Sequence, residues 1–158
     1  MAIPVAKSFG LTVITNGNGA SEDRVRKLGV DRFIDYKKED YANVLSDMDY
    51  VLDTLGDREL PKEFAILKRG GSLVTLRGLP NGEFAARRGM SFIKRMMFKM
   101  AGGKFDKMAS ANGQKYFFIF VHEDGAGLKK ISEIFKDTHI EASVDEVFDL
   151  DDVNKALK

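Results

Sequence analysis

The sequence predicts an α/β domain built on a doubly wound, largely parallel sheet, and three observations carry that expectation. Short β-branched or aromatic runs alternate with amphipathic segments along most of the 158 residues. The stretches between them are short and rich in Gly, Asn and Asp, which end helices and turn chains. Apolar content of 44% against 31% charged suits one globular core. Alternating strands and helices over short connections bury both faces of a parallel sheet.

The elements follow in order. Ala2 to Phe9 has apolar residues at near-helical spacing and stops at Gly10, with Pro4 tolerable in a first helical turn. Leu11 to Thr15 is a β-branched run broken by Asn16-Gly17-Asn18-Gly19. Ser21 to Leu28 reads as a helix with a Ser N-cap and early acids, ended by Gly29. Arg32–Tyr36 is a second strand, Asp40–Leu45 one or two helical turns, and Asp49–Thr54 a third strand. A short amphipathic helix over Pro61–Leu67 ends at Gly70-Gly71, ahead of a strand over Ser72–Leu76. The segment at about 83–115 departs from the alternation and reads as a helical insertion or lid. Within it, a helix over Phe92–Met100 sets Phe92, Ile93, Met96, Met97 and Met100 against Lys94, Arg95 and Lys99. Tyr116–Val121 is the most apolar strand, Leu128–Phe135 a helix, Ser143–Phe148 a last strand and Asp151–Leu157 a last helix. No repeat or low-complexity tract competes with this pattern.

Several function classes find no support. The formal net charge is +1, so no global field favours nucleic acid or an anionic membrane. Cysteine is absent, which removes disulfides and thiolate metal sites, and His122 and His139 share no ligand spacing. No apolar run approaches the roughly 20 residues of a membrane helix, and Lys7 interrupts the only N-terminal apolar stretch. The expected compartment is reducing and cytoplasmic. The Met-rich helix, with Arg87, Arg88, Lys104 and Lys107 nearby, has the composition of an interfacial helix. The competing expectation, and the preferred one, packs its Met face onto the domain as a lid.

The order of local signals resembles one superfamily. Ala6-Lys7 with Gly10, Arg26-Lys27-Leu28-Gly29-Val30-Asp31, Ile34-Asp35-Tyr36 and Asp53-Thr54-Leu55-Gly56 are followed by Gly70-Gly71-Ser72 and Leu76-Arg77-Gly78. Val147-Phe148-Asp149-Leu150-Asp151-Asp152-Val153 with Ala156 completes the set. Together they resemble the medium-chain dehydrogenases and reductases, in their quinone oxidoreductase-like, zinc-type alcohol dehydrogenase-like branch. That resemblance implies a Rossmann-type sheet. It also implies a strand and Gly-rich turn ahead of the helix at Ala2, and a barrel-like catalytic domain ahead of those. Residues 1–158 are then expected to form a partial NAD(P)-binding domain whose sheet lacks its first, central strand. The edges at Thr12–Thr15 and Asp49–Thr54 would be left unpaired, to be filled by rearrangement, a second copy or another segment.

The resemblance also implies cofactor-contacting positions. The strand ending Thr15-Asn16-Gly17 lacks the carboxylate that favours NAD, so NADPH is the expected cofactor and NADH the less favoured one. Ser21 and Arg24 stand where a 2′-phosphate would be bonded; as plain structure they are a helix N-cap and a solvated Arg. Tyr36 would donate to the same phosphate, or be a strand aromatic. Thr54 and Leu55 would border the cofactor, with Leu76, Arg77 and Gly78 on the nicotinamide side. Gly78 reads equally as a turn glycine before Pro80. Phe120 would approach the nicotinamide, or belong to the core. Asp53 fixes a turn.

No residue receives a catalytic or metal role. The expected function is reduction of a quinone, enone or related carbonyl by hydride transfer, with residues 1–158 inactive on their own. The alternative is a non-catalytic dimerisation or regulatory module; a flavodoxin-like domain would need a first strand with a phosphate-binding turn. The apolar run at 115–121 is expected at the sheet edge, pairing two copies as a homodimer.

Overall fold

The computed structural model describes residues 2–137, 144 and 146–157. Helix α1 (Ala2–Ser8) leads to strand β1 (Ile14–Gly17), and a 3-10 turn over Gly19–Ser21 leads to α2 (Glu22–Lys27) and β2 (Arg32–Asp35). Then come α3 (Tyr41–Val44), β3 (Met48–Asp53), α4 (Leu60–Ile66), β4 (Leu67–Thr75), α5 (Gly82–Arg87) and α6 (Phe92–Ala111). Strand β5 (Lys115–Phe118), α7 (Gly125–Asp137), a 3-10 turn over Leu150–Asp152 and α8 (Val153–Ala156) complete the order. Every strand pair is parallel, but the strands form two groups: β1 beside β2, and β3-β4-β5. Among the described residues nothing pairs β1 with β3. A cavity of about 1110 Å³ is lined by both of those strands and by Ala2, Ile3 and Ala6 of α1.

The core gathers around β4. Leu60 and Phe64 from α4, Leu67 and Leu73 from β4, and Phe105 from α6 meet Tyr116 and Phe118 of β5. Burying each such side chain contributes roughly 1.5–3 kcal/mol. The rings interlock, with Phe84 edge-on to Phe118 at 5.1 Å and Phe105 against Tyr116 at 5.2 Å. Among the described residues, Val30 and Ile34 are the buried apolar residues of the β1–β2 half, with Pro4 of α1. The cavity-lining β1–β2 half therefore has far less packing behind it than the β3–β5 half.

Several elements depart from the sequence expectation. Strand β4 begins before Gly70-Gly71, not after, because the register against β3 slips between Met48 and Tyr50. Gly70 takes up the slip at φ 81°, a left-handed value that suits glycine. Ser21 does not cap α2 with its side chain; its hydroxyl donates to the Asn18 carbonyl at 2.7 Å and closes the preceding turn. Helix α6 runs through Gly102-Gly103 to Ala111. A methyl at Gly102 would lie 2.7 Å from the Pro80 carbonyl oxygen and the Asn81 Cβ, so the glycine is where loop 80–81 crosses the helix. Asn81 uses that closeness: its Oδ1 accepts from the Phe84 N–H at 2.9 Å and its Nδ2 donates to Asp106 at 2.6 Å.

The Met face of α6 is not packed onto the domain. Gly102, Phe105 and Ala109 are its buried residues, and Phe98 meets Phe84 edge-on at 6.0 Å, whereas Met97 and Met100 stand exposed. Strand β5 stops at Phe118; Ile119 still donates to the Thr75 carbonyl, and Phe120 beyond it is 64% exposed rather than core. His139 and part of the strand expected over Ser143–Phe148 lie outside the described residues.

Candidate cofactor site

The carboxyl ends of β1 to β4 carry the loops in which the sequence placed cofactor contacts. Their geometry is set by one buried carboxylate. Asp53, fully buried at the end of β3, accepts from the backbone N–H groups of Leu55 (2.7 Å) and Gly56 (2.8 Å) through Oδ1. Its Oδ2 accepts from the Thr75 hydroxyl at 2.5 Å. Thr75, equally buried at the end of β4, in turn accepts from the N–H groups of Arg77 (3.1 Å) and Gly78 (2.7 Å). One acid and one hydroxyl thus satisfy four backbone donors and tie the loops after β3 and β4 together. Asp53 fixes turns, as its place in the sequence suggested.

Glycines let those loops approach. Gly56 has φ 95°, and a methyl there would lie 3.1 Å from the Arg77 carbonyl oxygen. A methyl on Gly78 would collide with the Tyr116 hydroxyl and sit 2.7 Å from Thr75 Cγ2. Gly78 is therefore required by its own neighbours before any ligand is considered. The Tyr116 hydroxyl donates to the Leu79 carbonyl at 2.9 Å, and burial raises its phenol above the ordinary range, so it stays a neutral donor.

Tyr36, Thr54 and Leu55 line the same cavity, which also takes in Asn16 and Gly17. Tyr36 and Leu55 are 56% and 60% exposed, so their groups are available to a ligand. Leu76 and Arg77 are exposed beside Gly78 in the loop tied to Leu55 through Asp53. Ser21 lies behind Gly17 rather than in the cavity lining, Arg24 is exposed on α2, and Phe120 lies past the end of β5. A methyl on Gly19 would sit 2.5 Å from Asp35 Oδ2, so the loop after β1 rests on the β2 carboxylate, which also accepts from Lys37 N–H at 3.0 Å.

Sequence reasoning missed Glu63. It is 6% exposed on α4, lines the cavity, and its Oε2 has no hydrogen-bond partner. Desolvation by burial, then the nearby Asp53 and Glu59 charges, push its carboxyl up to about 8. The signal was present: Leu60, Glu63, Phe64 and Leu67 recur at helical spacing, with an acid inside the apolar stripe. Close by, the Tyr41 hydroxyl donates to Glu59 at 3.0 Å, and burial and these acids raise its phenol as well.

Parallel strands alternating with helices, and loops at their carboxyl ends locked by buried polar groups, define an α/β domain of the Rossmann type. The chain belongs to the zinc-binding dehydrogenase family, whose profile matches residues 28–158, within the medium-chain dehydrogenases and reductases. It is 23% identical over 159 aligned residues to a zinc-type alcohol dehydrogenase-like protein of Schizosaccharomyces pombe, covering 99% of this chain and 43% of that protein. It is 29% identical over 119 residues to the 2-methylene-furan-3-one reductase of Solanum lycopersicum, covering 72% of this chain and 30% of the reductase. The quinone oxidoreductase from Coxiella burnetii superposes with a TM-score of 0.72 at 19% identity, over 99% of this chain and 43% of that one. The chain thus spans less than half the length of these relatives. The family's nucleotide-binding domain implies NAD(P) binding.

The family's name also implies zinc. Among the described residues no three His, Cys, Asp or Glu are grouped as a metal would need, and the sequence has no cysteine. These residues do not fit a zinc ion, and no step is assigned to one.

Proposed function

We propose that this chain is the cofactor-binding portion of an NADPH-dependent reductase of quinones, enones or related carbonyls. The observation that carries the reading is the placement of Tyr36, Thr54 and Leu55 just past the carboxyl ends of the parallel strands β2 and β3, where they line one end of the cavity between β1 and β3. Gly17 and Tyr36 would meet the adenosine ribose, with Ser21 and Arg24 toward its 2′-phosphate. Thr54, Leu55, Leu76, Arg77 and Gly78 would border the nicotinamide. When bound, the cofactor supplies the hydride for reduction. The chain's own contribution is to hold the two loops rigid through Asp53 and Thr75, so that the reacting face is presented in one position.

The test has two arms. In a protein carrying this segment, Arg24→Ala should weaken NADPH by roughly 1.5–3 kcal/mol, a factor of about ten to a hundred, and leave NADH nearly unchanged. Titration calorimetry with each cofactor reads this, and equal losses defeat the role given to Arg24. In the second arm, residues 1–158 alone are mixed with NADPH and a naphthoquinone. The reading expects no oxidation above background, because the cavity between β1 and β3 leaves no continuous sheet to fix both ends of the cofactor. Saturable turnover would overturn that part of the proposal.

The reading includes a homodimer through β5. That strand bonds only β4 among the described residues, and Ile119 (40%) and Val121 (78%) are exposed just past it. Exposed apolar edges pair with copies of themselves. Ile119→Lys should therefore convert a dimer to monomer in sedimentation velocity. A wild-type chain that is already monomeric at micromolar concentration removes the dimer from the proposal.

A further inference from the structure

Helix α6 carries two apolar faces, and only one is used. Successive helical residues are about 100° apart. Phe98, Gly102, Phe105 and Ala109 therefore share one side, which packs on α5 and the core. Phe92, Met96, Met100, Ile93 and Met97 fall in a second arc of about 140°, and they are 74%, 48%, 81%, 72% and 65% exposed. Five adjacent large apolar side chains on a convex surface are far more than scattered surface exposure.

The charges around that arc are one-sided. Residues 84–105 contain six Lys or Arg and no Asp or Glu, in a chain whose formal net charge is only +1, so the remainder is net acidic. Arg87 is held by Glu83 and the Phe118 carbonyl, Arg88 lies over the Phe84 ring, and Lys104 reaches Asp57. Lys94, Arg95 and Lys99 form no ion pair among the described residues. By helical angle Lys94 borders the apolar arc on one side and Arg95 with Lys99 on the other.

We propose that this face of α6 seats on an anionic lipid bilayer as an interfacial helix. An apolar arc rimmed on both sides by long cationic side chains fits the boundary between acyl chains and headgroups, where the stems lie along lipid and the charges reach phosphate. A second copy is disfavoured by charge: a two-fold pairing of this face would oppose the same cations. No described helix is long and apolar enough to cross a membrane, which makes the contact peripheral. The inference stands apart from the cofactor reading, since none of these residues lines the cavity.

The test is co-sedimentation of the chain with vesicles of phosphatidylglycerol in phosphatidylcholine, and with phosphatidylcholine alone. The expected result is binding to the anionic vesicles only, reversed by salt. The double variant Met97→Glu, Met100→Glu should lower the partition roughly tenfold or more. Both positions are exposed, so circular dichroism should show the fold unchanged. Leu150→Glu, which also adds a negative charge at an exposed apolar position (90%), should change the partition by less than about twofold. Failure to bind the anionic vesicles overturns the proposal, as does retained binding in the double variant or an equal loss in Leu150→Glu. It is also overturned if the chain without vesicles is a dimer that the double variant dissociates, because the face then belongs to a second copy.

Discussion

Asp53→Ala is expected to destabilise the domain by roughly 3–5 kcal/mol, the largest effect of any single substitution away from the apolar core. The carboxylate accepts from two backbone N–H groups and one hydroxyl at 2.5–2.8 Å, and nothing nearby can replace it. Truncation strands the buried Gly56 N–H and the Thr75 hydroxyl at once, and each unpaired buried donor costs about 1–3 kcal/mol. Asp53→Asn keeps Oδ1 as the acceptor for Leu55 and Gly56 but sets an NH2 donor against the Thr75 hydroxyl, so that bond is lost too and the cost should approach that of Asp53→Ala. Thr75→Ser keeps the hydroxyl and should be mild, whereas Thr75→Val removes the acceptor for Arg77 and Gly78. Urea denaturation followed by circular dichroism separates these outcomes. If Asp53→Ala loses less than about 1 kcal/mol, the two loops are held by something other than this pair.

On the function proposed above, the Asp53 result extends to cofactor binding, because the same bonds position Leu55 and Gly78. A variant that folds with loose loops should lose cofactor affinity in proportion to the donors it strands. Thr75→Ser should keep most of that affinity and Thr75→Val should not. The site is thus an extension of the strand ends: β3 and β4 pair in parallel up to Asp53 and Thr75, and the first residues past the ladder carry the bonds that shape the loops.

The β3–β4–β5 half was legible because each of its strands is an apolar run against an apolar helix face, and the core confirms both. Strand β1 was legible as an element but not in its bounds. Its ladder with β2 starts at Ile14 and runs to Gly17, and the unpaired side gives no sequence cue to where pairing stops. The end of α6 was hidden by Gly102-Gly103, which read as a terminator. What keeps the helix going is tertiary: Asn81 needs the space that Gly102 leaves. The Met face was misplaced for a related reason, since periodicity shows that a helix has an apolar side but not which of two apolar sides the domain covers. The strand-end positions of Tyr36, Thr54 and Leu55 were legible, and their cofactor contacts belong to the proposed function. Glu63 was overlooked because an acid in a helix is ordinarily read as a solvated side.

Glu63 gives the second large effect, a stability that falls as pH rises through neutrality. In the folded chain its carboxyl holds its proton up to about pH 8, against an ordinary value of 4.5. Between those values the folded state binds more protons than the unfolded chain, so unfolding releases a proton and stability declines with increasing pH. The contribution is complete below about 4.5 and is lost as pH passes about 8. The other shifted acids and bases act outside that window: Asp31 and Asp40 are lowered by Lys7 and Lys62, and Lys62 and Lys68 are raised by Asp40 and Asp49. Tyr41, beside Glu63, stays neutral throughout because burial and the surrounding acids raise it. The swing should be on the order of 2 kcal/mol, below what the full shift would give, because the cavity on one side of Glu63 admits water. Glu63→Gln removes the proton and with it the slope. It should be close to wild type near pH 5 and more stable by about the same 2 kcal/mol near pH 8.5. Urea midpoints across that range decide the matter. A wild-type midpoint that is flat, or that rises with pH while Glu63→Gln follows the same curve, would show that Glu63 is ionised and solvated through the cavity.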